Sequence, residues 1–169
     1  MKPFMILIDG PMGSGKTTIG RLLHKELPRT AILSTDSIKF FISDFERGER
    51  DNAIAAAVLM QMCKEYVKHG INILLPQGFW KKEYMDPYIS LAKEHNLEVF
   101  MYQLEASRDV LLERIAARPI PAGRTPVPQE RILKNLQTWE DNKFEAGKVF
   151  NTEEFAAEEI VQLILKDIN

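Results

Sequence analysis

Phe4 to Ile8 is an unbroken apolar run that ends at Asp9-Gly10-Pro11. A strand covered on both faces reads this way, because neither side has to meet water. From Gly15 the apolar period changes: Ile19, Leu22, Leu23 and Leu27 fall on one helical face until Pro28 ends the pattern. The chain therefore opens as strand, glycine-bearing turn and helix. Ala31 to Ser34 reads as a second short strand, and Asp36 opens an aromatic segment with Phe40, Phe41 and Phe45, helical at first. After the polar stretch Glu46 to Arg50, Asp51 or Asn52 can cap a long helix reaching Val67, with Gly70 where a left-handed residue is wanted.

Ile71 to Pro76 reads as the third strand, Lys82 to His95 as a helix weakened by Pro87, and Glu98 to Tyr102 as the fourth strand. Ser107 is a candidate cap for a helix carrying Leu111, Leu112 and Ile115. Pro119, Pro121, Pro126 and Pro128, with Gly123 among them, exclude regular structure in that stretch. Helical spacing returns at Ile132, Leu133, Leu136 and Trp139; Lys148 to Phe150 reads as a fifth strand, and Thr152 as the cap of a last helix. Strands alternating with helices predict an α/β fold, a parallel doubly wound sheet with right-handed crossovers. The reading is of one domain spanning residues 1–169.

Charge and composition narrow the function classes. The net charge of −2 comes without basic runs, which argues against a track for nucleic acid. A lone Cys63 excludes an internal disulfide and any multi-cysteine metal site, and its Ala-rich surroundings suit a buried helix position. His24, His69 and His95 stand at spacings that make no metal site. No apolar stretch approaches a membrane span, and the amino-terminal apolar run is too short for a signal-peptide core. A cytoplasmic protein is the expectation.

The chemistry is concentrated in Gly10-Pro11-Met12-Gly13-Ser14-Gly15-Lys16-Thr17, which fits G-x-x-x-x-G-K-[ST] at every fixed position. The match falls between a buried-type strand and an amphipathic helix, where it has physical meaning. Glycines let successive N–H groups face inward, and the following helix adds its positive end, so the turn makes a cavity for phosphate oxygens. Lys16 can reach the outer phosphates of a nucleoside triphosphate, and Thr17 offers a hydroxyl to Mg²⁺. Thr18 follows as a further loop-end residue or an ordinary helix residue.

On these residues the chain resembles the P-loop kinases of metabolites and nucleotides: nucleoside monophosphate, shikimate and gluconate kinases, and kinases related to zeta toxin and chloramphenicol phosphotransferase. That resemblance implies a five-stranded sheet in the order 2-3-1-4-5, ATP with Mg²⁺ as the phosphoryl source, and a small-molecule acceptor. It also implies a lid at about residues 118–129. Arg114 and Arg118, four residues apart, match arginines that flank such lids, the first against adenine and the second on phosphates; Arg124 inside the lid is a third cation. Solvated charges paired with nearby carboxylates are the alternative for these arginines. Asn151-Thr152 holds the place where relatives cradle the adenine.

Asp36, directly after the second strand, matches an aspartate that faces the acceptor in similar kinases, and it could equally be a helix cap. Lys39, Phe40, Phe41, Phe79 and Trp80 are candidates for the acceptor pocket, as are Arg21, Arg47 and Arg50 if the acceptor is a phosphate. The departure from the family lies at Gln77, where many P-loop enzymes carry an acid after the third strand. An amide there can hydrogen-bond an acceptor but cannot take a proton, so metal binding falls to Thr17, phosphates and water, with Asp36 or Asp9, and the base role to Asp36.

The expected activity is transfer of the γ-phosphoryl group of ATP to a hydroxyl. A nucleoside monophosphate kinase is the alternative, ahead of a nucleotide-hydrolysing switch or a nucleic-acid end kinase. A GTPase is disfavoured, since Asn142-Lys143 lacks a following aspartate.

Overall fold

The computed structural model describes residues 2–46, 48–120 and 125–168. In chain order they form β1 (Phe4–Asp9), α1 (Lys16–Glu26), β2 (Thr30–Ile32), α2 (Thr35–Lys39), α3 (Glu49–Lys68) and β3 (Asn72–Pro76). Then come α4 (Lys82–Glu94), β4 (Glu98–Glu105), α5 (Arg108–Ala116), α6 (Gln129–Asn142), β5 (Lys148–Asn151) and α7 (Ala157–Ile168). All four strand pairings are parallel, and the order across the sheet is β2-β3-β1-β4-β5, as the family resemblance implied.

β1 is central because every one of its residues is buried, and its alternating side chains feed two cores. Met5 and Leu7 point into a cluster with Leu59 and Cys63 of α3 and Leu91 of α4. Phe4, Ile6 and Ile8 point the other way, toward Ile19 and Leu23 of α1 and Ile160 and Ile164 of α7. Each fully buried Leu or Ile contributes about 1.5–3 kcal/mol, so the strand carrying the phosphate-loop motif is the best-anchored part of the sheet. Helix α1 lies close on β3: a Cβ added at Gly20 would meet the Pro76 ring at 2.7 Å, which only glycine avoids. Cys63 is buried as expected, and desolvation pushes its thiol pKa up to about 12.

Several boundaries differ from expectation for tertiary reasons. β4 continues past Tyr102 to Glu105, because residues 102–105 pair with Lys148–Asn151 of β5. α3 starts at Glu49 behind an N-cap at Gly48; neither Asp51 nor Asn52 is its cap. The Asp51 carboxylate is instead buried and accepts the Glu46 N–H at 2.6 Å, closing the turn before the helix. α4 runs through Pro87, whose missing N–H leaves only the exposed Glu83 carbonyl for water to satisfy. Ser107 occupies the N-cap of α5 without a side-chain cap bond; its own N–H donates to Glu153. Thr152 does not cap α7, which begins five residues later. Among the described residues no helix is long and apolar enough to cross a membrane.

Candidate functional site

Between β1 and α1 the backbone turns sharply, with Gly10, Gly13 and Gly15 all at positive φ. Gly10 has no room for a side chain: a Cβ there would lie 2.6 Å from the Leu104 carbonyl oxygen and 2.7 Å from Ser14 Oγ. The last of these glycines is the N-cap of α1, left-handed and without a side-chain cap bond. α1 also has no acidic residue in its first turn, whereas α2 to α7 each have at least one. Acids at those positions complement the positive end of a helix, so the exception leaves the α1 terminus open to an outside anion.

Lys16, the first residue of that helix, folds its ammonium back onto the turn. Nζ donates to the carbonyls of Gly10 at 2.8 Å and Pro11 at 2.7 Å. Desolvation pushes its pKa down to about 8; the charges of Asp9 and Asp36 oppose that shift and Arg118 adds to it. Both aspartates and Arg118 therefore act on the same ammonium. Thr17 and Thr18 are exposed at the first turn, while Ser14 Oγ is buried with no hydrogen-bond partner.

Asp9 lies at the end of β1, fully buried. Its Oδ1 accepts two backbone N–H groups, Gly10 at 2.8 Å and Phe79 at 2.9 Å, while Oδ2 has no partner. Burial raises its pKa, and the two N–H bonds and the Lys16 charge pull it back. The carboxylate thus ties the entry of the phosphate loop to the turn after β3. Sequence reasoning gave Asp9 a minor part, since a contact seventy residues along the chain leaves no local signal.

Gln77 and Phe79 stand in that turn. The Gln77 amide oxygen accepts the Thr35 N–H at 2.9 Å, so Oε1 is already engaged and does not point free toward an acceptor. Its side chain also lies near the Tyr88 hydroxyl, whose pKa burial pushes up to about 12. Phe79 is core, packed edge-on against Tyr88, and Trp80 follows in a left-handed conformation with φ 58°.

α2 begins beyond β2 with Ser34, whose hydroxyl accepts the Ser37 N–H at 3.2 Å. Asp36 is therefore not the cap. It stands in the first turn with an exposed side chain, 2.8 Å from Lys39 Nζ. Lys39 is well covered, because its ammonium also donates to Asn52 on α3. Phe41 is exposed, and Phe40 and Phe45 meet edge to face.

On the other side of the loop, Arg114 makes a two-pronged contact with Thr152, donating to Oγ1 and to the carbonyl oxygen, each at 2.8 Å. Thr152 in turn donates to the Glu105 carbonyl at 3.1 Å. Two residues brought together in the sequence reading only by family position are thus in direct contact, and Arg114 has no carboxylate partner in these bonds. α5 ends at Ala116, so Arg118 stands exposed just past the helix, not on its regular face. Arg21 and Arg50 are exposed on α1 and α3. Arg47 and Arg124 lie outside the described residues.

Residues 5–141 match the model of a family described as an AAA domain. The chain is similar to the shikimate kinase of Psychrobacter cryohalolentis, 28% identical over 78% of this chain and 87% of that enzyme. It is 30% identical to the adenylate kinase of Bifidobacterium longum, over 80% of this chain and 79% of that one. Among solved structures, a sugar kinase from Janibacter superposes with a TM-score of 0.68 at 18% identity, covering 97% of this chain and 93% of that one. The APS kinase of Mycobacterium tuberculosis, in complex with AMPPNP and APS, superposes with a TM-score of 0.68 at 14% identity, covering 98% and 96%. The fold agrees with these solved structures, and the chain belongs to the AAA-domain family and to the P-loop kinase superfamily and is a phosphotransferase.

Proposed function

We propose that this kinase transfers the γ-phosphoryl group of ATP to a hydroxyl of a small-molecule acceptor, with Asp36 orienting that hydroxyl and taking its proton. One observation carries the reading: the exposed Asp36 carboxylate stands in the first turn of α2, whose Thr35 N–H is bonded to Gln77 in the turn that Asp9 ties to the phosphate loop, so the carboxylate is carried by an element joined to that loop. A loose phosphoryl-transfer transition state needs positioning and charge stabilisation more than covalent help. Met12, Gly13, Ser14 and Gly15 would line the triphosphate with main-chain N–H groups, Gly10 and Pro11 would shape the entry of the turn, and Lys16 would leave its carbonyl partners for the outer phosphates. Arg114, held flat by Thr152, would lie against the base. Arg118 and Arg124, in a lid at about residues 118–129, would approach the phosphates when both substrates are in place.

Mg²⁺ fits this donor set. No cluster of three carboxylate, histidine or cysteine side chains exists among the described residues, and Mg²⁺ on a nucleotide does not require one, since phosphates and water fill most of its shell. The exposed Thr17 hydroxyl is the residue that would hold it, and the ion would neutralise charge on the transferring group.

The shikimate kinase relative supports an alcohol acceptor, and the adenylate kinase relative supports a nucleoside monophosphate as second reading. Mg-ATP offered with shikimate, gluconate and cyclic polyols in one series, and with AMP and CMP in another, separates them. Transfer to an alcohol that is lost in Asp36→Asn is the expected result. Transfer to monophosphates alone, undiminished in that variant, replaces it with the second reading.

A further inference from the structure

Lys16 and Asp36 sit on different helices, twenty residues apart, yet phosphoryl transfer needs the acceptor group held to within a fraction of an ångström of the phosphate site. The link between them is a run of hydrogen bonds beneath the site. Lys16 Nζ donates to the Gly10 carbonyl at 2.8 Å. The Gly10 N–H donates to Asp9 Oδ1 at 2.8 Å, and the same oxygen accepts the Phe79 N–H at 2.9 Å. Two residues before Phe79, Gln77 reaches with Oε1 to the Thr35 N–H at 2.9 Å. Thr35 is the first residue of α2 and the immediate neighbour of Asp36.

Burial and identity give the run its weight. Asp9 and Phe79 are fully or almost fully buried and Gln77 is 8% exposed, so these bonds do not compete with water. Bonds to a charged acceptor are stronger than those between neutral groups. The Thr35 N–H belongs to the first turn of a five-residue helix, where no intrahelical acceptor exists for it. Ser34 Oγ serves the Ser37 N–H instead, leaving Gln77 as the partner that fixes the Thr35 end. α2 is too short to hold its own direction by helix cooperativity.

We propose that Asp9 and Gln77 form a buried joint that registers α2, and with it the Asp36 carboxylate, against the phosphate loop, making Gln77 a positioning residue for phosphoryl transfer. The amide suits the task because it accepts from Thr35 through Oε1 without carrying a charge into a buried place. The joint also gives the phosphate loop a mechanical route to the acceptor side: when Lys16 exchanges the Gly10 carbonyl for a phosphate oxygen, the strain passes through Asp9 to the turn that carries Gln77. This inference rests on the reading of Asp36 as the acceptor-facing group.

Three variants test it. Gln77→Leu removes the acceptor, Gln77→Glu keeps an acceptor oxygen in place, and Thr35→Pro removes the donor from the opposite end. Proline is tolerated at the first position of a helix, and Ser34 already has the extended conformation that a following proline requires, so the third variant stands if the first fails to fold. Amide resonances are followed while Mg-AMPPNP is titrated. In the wild type, the shifts are expected to spread from the phosphate loop through Phe79 to the amides of Asp36 and Ser37. In Gln77→Leu and Thr35→Pro they should stop at Phe79, and in Gln77→Glu they should reach Asp36 again. Transfer from Mg-ATP to the alcohols named above should fall about ten- to a hundredfold in kcat in the first and third variants, with nucleotide KM within about twofold of wild type.

Shifts at Asp36 and Ser37 that survive in both Gln77→Leu and Thr35→Pro overturn the joint. So does a loss confined to thermal stability with kcat intact. Full transfer in Asp36→Asn beside the expected pattern of shifts overturns the Asp36 reading and leaves the joint as a physical link only, so the two failures are distinguishable.

Discussion

α1 and α2 both begin where parallel strands end, yet the two starts are built oppositely. α1 has a left-handed glycine at its N-cap, no side-chain cap and no acid in the first turn. α2 has Ser34 as a bonded cap and Asp36 in its first turn. A helix start without an acid forgoes about 0.3–1 kcal/mol of dipole stabilisation. The phosphate-loop helix therefore accepts a weaker start and leaves its positive end for a ligand, whereas α2 carries its own side-chain cap and presents a carboxylate. The first is a receiver for a polyanion; the second is suited to a neutral or cationic group such as a hydroxyl proton.

Removing the cation from the receiving side gives the largest effect. Lys16→Ala should lower phosphoryl transfer by a factor of at least about a thousand, comparable to losing a main electrostatic stabiliser of the transition state, read as kcat/KM with the best alcohol acceptor. Asp36→Asn should lower kcat by about a hundredfold, in the range for a general base, and leave the affinity for Mg-AMPPNP unchanged by calorimetry. If that variant instead loses nucleotide affinity, the two helix starts do not divide the labour between donor and acceptor.

The third test is pH. The Lys16 ammonium, pushed down to about 8 by burial, regains its charge preference beside phosphates, so binding takes up a proton above that pH. Nucleotide affinity should hold steady between pH 6 and about 7.5 and then fall toward a limit of about tenfold per unit above pH 8. For the empty protein the sign is opposite. A lysine whose folded pKa lies below its unfolded value favours the folded state as pH rises from about 8 toward the unfolded value, so Lys16→Met should flatten that rise in stability.

Making α1 resemble α2 gives a smaller effect. Thr18→Glu places an acid in the bare first turn and should raise the stability of the empty protein by about 0.3–1 kcal/mol while weakening Mg-AMPPNP binding, both read by thermal unfolding with and without ligand. Ser34→Ala should lower stability by about 1 kcal/mol from the lost cap, and the smallest change in transfer is expected there, reduced only as far as α2 loosens.

The comparison also marks what could be read from the sequence. The receiving end is local: glycines, lysine and threonine occur within eight consecutive residues between a buried strand and an amphipathic helix, and their pattern names their task. The presenting end is assembled from a distance. Gln77 looked like a substitute for a missing acid because its Thr35 partner lies forty-two residues away. Asp51 looked like a helix cap because its bond runs backward to Glu46, and Thr152 did so because its partners are Arg114 and Glu105 on another strand and helix. Periodicity found the helices and strands and failed at ends fixed by neighbours in space, as with the last three residues of β4, held by β5.

Trp80 is left-handed and half-buried, and a Cβ added at Gly78 would lie 3.4 Å from its indole and 3.5 Å from the Gly10 carbonyl oxygen that accepts from Lys16. The molecule therefore carries its own optical sensor one residue layer away from the phosphate cradle. With Trp139 on α6 replaced by phenylalanine, Trp80 would be the sole indole emitter, and arrival of a nucleotide could be timed from its fluorescence without attaching any dye.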